Sequence, residues 1–127
     1  MTFKKSPKSG DITAYEILNE WDQESIKDIL YGYADERHAK RIAAAIVERR
    51  KQNPIETTLS LVTVLDDVLP DRYKKGKIHF ATKTFQAIRI AVNDEITALK
   101  ECLEDGFSVL ESGGRLAVIS FHSVEDR

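Results

Sequence analysis

Cysteine is almost absent from this chain of 127 residues: Cys102 is the only one. An internal disulfide framework and any multi-thiolate metal site are therefore excluded. Three histidines, His38, His79 and His122, stand apart with no H-x-x-x-H spacing and no cysteine partner, so no metal site is expected. No apolar run approaches the length of a bilayer span, and the basic start leads into no apolar signal region, so a cytoplasmic chain without membrane contact is expected. No G-x-S-x-G elbow is present, and His122 and Ser123 are neighbours whose side chains diverge, which makes a Ser-His-Asp hydrolase a poor fit. An excess of one charge is missing too, with 19 Lys and Arg against 21 Asp and Glu. With only three prolines and six glycines, the breaks between elements are few.

What is present is charge sorted along the chain. From Asp71 to Arg89 there are six basic residues, Arg72, Lys74, Lys75, Lys77, Lys83 and Arg89, against Asp71 alone. From Asp94 to Glu111 there are six acids against Lys100 alone. A basic segment beside an acidic one suits phosphate-backbone binding, and equally suits ordinary solvation.

Hydrophobic periodicity predicts mostly helix. Met1 to Asp11 reads as an unstructured lead-in punctuated by Ser6-Pro7 and Ser9-Gly10. Thr13 with Glu16 three residues later forms a capping box ahead of Ala14, Ile17, Leu18 and Trp21. A second short helix is predicted from about Gln23 to Tyr31, interrupted by Gly32. Asp35 is expected to cap a helix to about Lys51 with a stripe of Ala39, Ile42, Ala43, Ile46 and Val47, whose alanines suggest close approach by a neighbour. Thr57 or Thr58 starts a helix that Pro70 ends. Asp71 to Phe80 reads as a basic loop, and Ala81 to Glu104 as one long helix carrying Phe85, Ile88, Val92, Ile96, Leu99 and Leu103 at spacings of three and four. Cys102 falls inside that pattern as a buried or half-buried hydrophobe. Trp21 and Tyr33 read as core or corner residues rather than base-stacking platforms.

Gly113-Gly114 predicts a tight turn, and Arg115 to Ser120 a mostly apolar strand. Helix, turn and strand in that order predict a fragment of an α/β domain. The expected fold class is thus mainly α: a flexible lead-in over residues 1–11, a helical domain over 12–77, and a partial α/β core over 78–127.

Two groups of residues carry candidate chemistry. His122, Ser123, Glu125 and Asp126 follow the predicted strand directly, where open α/β sheets place ligands. The same residues also suit helix capping, with Ser123 as the cap and Asp126 three residues on, and both readings stand. His79, Lys77, Thr82, Lys83, Thr84, Gln86 and Arg89 gather at the start of the predicted long helix, where orphan amides and positive charge favour an anion such as a phosphate. Gln86 and Asn93 are seven apart and share a face.

The run from His79 to Asn93, HFATKTFQAIRIAVN, and the run from Gly113 to Arg127, GGRLAVISFHSVEDR, closely resemble the bacterial 16S ribosomal RNA cytosine-N4 methyltransferase family known as RsmH or MraW. The segment from Tyr33 to Lys51 resembles that family's helical region. The resemblance implies a class I S-adenosylmethionine methyltransferase with a Rossmann-like sheet and an inserted helical domain. Residues 12–77 would be the helical insertion domain, and 78–127 a core helix plus a core strand with its active-site-side loop. It implies methylation of the N4 amine of a cytidine in small-subunit rRNA. His122 and Ser123 would line the catalytic cleft, and His79, Lys83, Thr84, Gln86, Arg89, Asn93, Glu125, Asp126 and Arg127 would contact substrate. His79-Phe80-Ala81 stands where the family usually has His-Pro-Ala. The family's glycine-rich loop and ribose-binding acid are not found in this sequence, so S-adenosylmethionine, the cofactor of the full-length family, is not expected to bind this chain alone. The isolated chain is expected to be inactive, with small-subunit rRNA, the ribosomal subunit or a complementing polypeptide as partners. The alternative expectation is a helical RNA-binding or partner-binding module without catalysis.

Overall fold

The computed structural model of the chain describes residues 11–120. Among the described residues seven helices follow one another: α1 (Ala14–Asn19), α2 (Gln23–Ala34), α3 (Ala39–Arg50), α4 (Thr58–Val68), α5 (Asp71–Lys74), α6 (Thr82–Asn93) and α7 (Glu95–Ser108). The described residues up to Asn93 form one compact unit, and those from Asp94 onward form a second. The predicted lead-in lies, but for Asp11, outside the described residues.

Three helices, α1, α2 and α4, start on side-chain caps. The Glu16 amide donates to Thr13 Oγ1 at 3.1 Å while Glu16 Oε2 accepts from the Thr13 amide at 2.6 Å, which closes the expected box at α1. Asp22 caps α2 through the Ser25 amide at 3.0 Å, and Thr57 caps α4 through the Ser60 amide at 3.1 Å.

In the first unit α2 is the central helix, packing on both α3 and α6. Helix α3 in turn packs on α4, and α1 touches α3 and α6. Ile26, Leu30 and Ala34 of α2 join Ile42, Ala43 and Ile46 of α3, Leu61, Val64 and Leu65 of α4, and Ala87, Ile88 and Val92 of α6 in one core. The alanine stripe does sit under close neighbours, with Ala43 fully buried. Trp21 and Tyr33 pack against this core as partly buried side chains. Asn19 fastens the segment after α3 to α1: its Oδ1 accepts from the Ile55 amide at 2.8 Å and its Nδ2 donates to the Ile55 carbonyl at 3.0 Å.

Three local expectations are corrected. Gly32 does not stop α2, which runs on to Ala34; burying Leu30 and Ala34 outweighs the roughly 1 kcal/mol penalty of an interior glycine. Asp35 is not the cap of α3 but the left-handed residue that ends α2, with φ 47° and its amide on the Leu30 and Tyr31 carbonyls. The single long helix is two helices, α6 and α7, broken at Asp94, which adopts φ 50° with no glycine or proline to announce it.

The second unit contains α7 and the segment after it. No residue of α7 is fully buried, and Cys102 is exposed rather than buried. The predicted turn forms: the Gly114 amide donates to the Glu111 carbonyl at 2.8 Å, and Gly113 takes φ 84°. A Cβ on Gly114 would stand 2.9 Å from the Glu111 carbonyl oxygen, so the turn requires glycine there.

The expected α/β core is overturned. Residues 114–120 form no strand, and among the described residues there is no strand and no sheet, so the fold is mainly α and not a partial Rossmann-like core. The reason is backbone accounting. Arg115 to Ser120 has the apolar composition of a strand, but its amides and carbonyls find no ladder partner among the described residues, and Ile119 stays 82% exposed. Among the described residues no helix is long and apolar enough to cross a membrane, and no group of three or more His, Cys, Asp or Glu could hold a metal ion.

Candidate functional site

The basic loop predicted between Asp71 and Phe80 is partly helical. Pro70 sets φ at -63° and its carbonyl accepts from the Tyr73 and Lys74 amides at 2.9 and 3.1 Å, which starts α5. One turn of helix sends its basic residues to different places. Lys74 turns back to α4, where Asp66 Oδ1 at 3.1 Å and then Asp71 Oδ1 at 3.2 Å hold its ammonium above the ordinary lysine pKa. Arg72 is exposed and lines a cleft. Past α5 the chain bends sharply at Gly76, where a Cβ would come within 3.1 Å of the Tyr73 carbonyl oxygen.

That cleft, of about 350 Å³, is lined by Arg37, Arg72, Tyr73, Gly76, Lys77, Ile78, His79, Phe80 and Lys83. Four of these side chains are arginine or lysine and none is a carboxylate. Arg37 comes from the turn between α2 and α3, the next six from α5 and the loop after it, and Phe80 and Lys83 from the entry and first turn of α6. Lys83 Nζ donates to the Asp35 carbonyl at 2.9 Å, which ties the start of α6 to the end of α2. His79 is fixed in place twice. Its Nδ1 accepts from the Ala81 amide at 3.3 Å, and its ring stacks on Phe80 with centroids 4.4 Å apart and planes 25° from parallel.

Beside the cleft lies a buried carboxylate that sequence reasoning missed. Glu36 is fully buried; its Oε1 accepts from the His38 amide at 2.9 Å and its Oε2 from the Tyr73 hydroxyl at 2.5 Å. The first bond supplies an anion to the N-terminus of α3, whose cap residue His38 makes no side-chain cap of its own. The second ties α5 to that turn. The His38 ring meets Tyr73 edge-on, with centroids 4.9 Å apart. Burial first, then the bond to Glu36, pushes the Tyr73 phenol above its ordinary pKa. No periodicity in the sequence marks Glu36 or Tyr73.

Of the residues singled out from the sequence as a group, Lys77, His79 and Lys83 share the cleft, joined by Arg37 and Arg72. Gln86, Arg89 and Asn93 do not line it; Asn93 Nδ2 donates to the Arg89 carbonyl at 2.7 Å. Thr84 is fully buried, and its Oγ1 has no hydrogen-bond partner among the described residues. Replacing Thr84 by valine, which keeps the shape and removes the hydroxyl, is expected to raise the unfolding free energy by about 1 kcal/mol. A urea titration checks this, and a loss of stability would show that the hydroxyl is bonded. His122, Ser123, Glu125, Asp126 and Arg127 lie outside the described residues.

The description "MraW methylase family" belongs to the family model that matches residues 5–127. The chain is 47% identical over 120 residues to the ribosomal RNA small subunit methyltransferase H of Lactobacillus johnsonii and 51% identical over 120 residues to that of Symbiobacterium thermophilum. It is 49% identical over 115 residues to that of Persephonella marina. These alignments cover 94%, 94% and 91% of this chain and 38%, 38% and 39% of the relatives, so the chain spans well under half the length of the curated relatives it matches. With the family match running through nearly every residue, including the whole of the basic cleft, the chain belongs to the MraW methylase family.

Proposed function

We propose that this chain is the RNA-holding segment of a small-subunit ribosomal RNA methyltransferase that moves a methyl group from S-adenosylmethionine to the N4 amine of a cytidine. The observation that carries the reading is the cleft of Arg37, Arg72, Lys77 and Lys83, which gathers four cations and no carboxylate in a family whose relatives are rRNA methyltransferases. Such a cleft suits phosphates, which it meets through charge, with Arg37 and Arg72 able to bind two oxygens each. The same chemistry does not fit the methyl donor. A sulfonium is a cation that the four positive groups repel, and no acid lines the cleft to take the donor's ribose hydroxyls. This cleft is therefore not given to the donor, and Arg37, Arg72, Lys77 and Lys83 are given the task of holding and orienting RNA.

Fluorescence anisotropy with a labelled fragment of small-subunit rRNA tests the reading. Four phosphate contacts predict that affinity falls by about 50- to 150-fold when salt rises from about 50 to 200 mM, because the slope of log K against log salt is roughly 0.7 to 0.9 per contact. Arg72→Ala and Lys77→Ala are each expected to lower that slope by about one. Absence of binding at low salt, or binding that ignores salt and both substitutions, would sink the proposal.

A further inference from the structure

The cleft is more than a basic patch. Between its cations stand Ile78, His79, Phe80 and Tyr73, and Ile78 is left 62% exposed at its edge. A duplex presents phosphates outward and hides its bases, so it would satisfy the cations and leave these apolar and aromatic surfaces wet. An unpaired nucleotide presents both a phosphate and the flat face of a base. The cleft volume of about 350 Å³ lies near the lower end of the roughly 300–1,000 Å³ typical of small-molecule sites, room for a single nucleotide and not for a helix.

From this we infer that the cleft takes an unpaired RNA nucleotide, its base stacked on the exposed face of the His79 ring and its phosphates held by Arg37, Arg72, Lys77 and Lys83. The inference rests on the RNA-holding reading above and names the form of RNA that it recognises. The ring is prepared for the task. Phe80 backs one face of it, and the Ala81 amide donates to Nδ1, which fixes the plane before any base arrives and lowers the ordering cost of stacking. Because Nδ1 accepts, the neutral imidazole carries its proton on Nε2, which is left as a donor to a base oxygen or phosphate. Ile78 adds van der Waals contact to the edge of the base, and covering it removes an exposed isoleucine from water.

The test compares a short labelled single-stranded RNA with the same strand annealed to its complement, both at one salt concentration. The single strand is expected to bind on the order of 10-fold more tightly. His79→Ala is expected to weaken single-strand binding on the order of 10-fold and to leave the salt slope unchanged, because stacking releases no counterions. His79→Phe keeps a stacking face and is expected to retain the affinity. His79→Leu, of similar bulk without that face, is expected to lose it, and serves if the alanine variant loses its fold. Equal affinity for single strand and duplex, or equal behaviour of the phenylalanine and leucine variants, overturns this inference while leaving RNA binding intact. Failure of both RNAs to bind overturns the RNA-holding reading itself, and this inference with it.

Discussion

Glu36→Ala is expected to lower the unfolding free energy by roughly 3 kcal/mol, among the largest single-site effects in the chain. The carboxylate is fully buried and accepts two hydrogen bonds, from the His38 amide and the Tyr73 hydroxyl. Truncation leaves both donors without an acceptor, removes an anion from the N-terminus of α3 and opens a small void. Tyr73→Phe removes one donor and leaves the carboxylate with a single bond, at a cost of about 2 kcal/mol. The two changes share one hydrogen bond, so the double variant is expected to cost about 1 to 2 kcal/mol less than the sum of the singles. Urea titrations of the four proteins give this coupling directly, and strict additivity would show that the bond contributes nothing. Each single variant is also expected to weaken RNA binding, because Arg72 sits on the helix that Tyr73 anchors.

The same pair has a pH signature. Burial, and next the Glu36 bond, raises the Tyr73 phenol above its ordinary value of 10.0. A raised folded value means that the folded chain keeps a proton that the unfolded chain releases, so the contribution is complete at neutral pH and declines as pH rises beyond about 10. The stability difference between the native chain and Tyr73→Phe should narrow there. A difference that stays constant through that range would contradict the assignment.

Leu30→Ala is expected to cost about 3 kcal/mol, within the 2 to 5 kcal/mol range of buried leucine truncations. Leu30 is fully buried on α2, the helix that packs against both α3 and α6, so the cavity loosens the packing of both. Leu59→Ala is the control. Leu59 is 76% exposed, and its truncation is expected to change stability by less than about 0.5 kcal/mol. The denaturant midpoint should drop sharply for the first variant with an unchanged slope and hardly move for the second. Comparable losses at the two sites would mean that α2 is not the centre of the unit.

How much of this was readable in advance depended on how far apart the interacting residues lie. The α1 capping box joins Thr13 to Glu16, and the α3 stripe recurs every three or four residues, so both could be read from short windows. The break at Asp94 could not be read, because the apolar period runs straight across it from Val92 to Ile96 and Leu99. The strand expected at Arg115 to Ser120 failed for the opposite reason: its local pattern was right, but a strand exists only with a partner to bond it. At the cleft, composition marked His79 and Lys83 and the density of basic residues around them. It passed over Glu36 and Tyr73.

The sequence alone determined the starts of α1, α2 and α4, the buried stripe of α3, the Gly113-Gly114 turn and the family resemblance, all carried by residues a few positions apart. Only the tertiary structure decided which cations face one another. Lys83 reaches the Asp35 carbonyl across 48 positions, and Tyr73 reaches Glu36 across 37. Lys74, the last residue of the helix that also carries Arg72 and Tyr73, is instead held by Asp66. Charge counts along a chain are blind to such choices, because a cation becomes part of a binding surface only when the packing of distant helices leaves it without an acid and beside other cations.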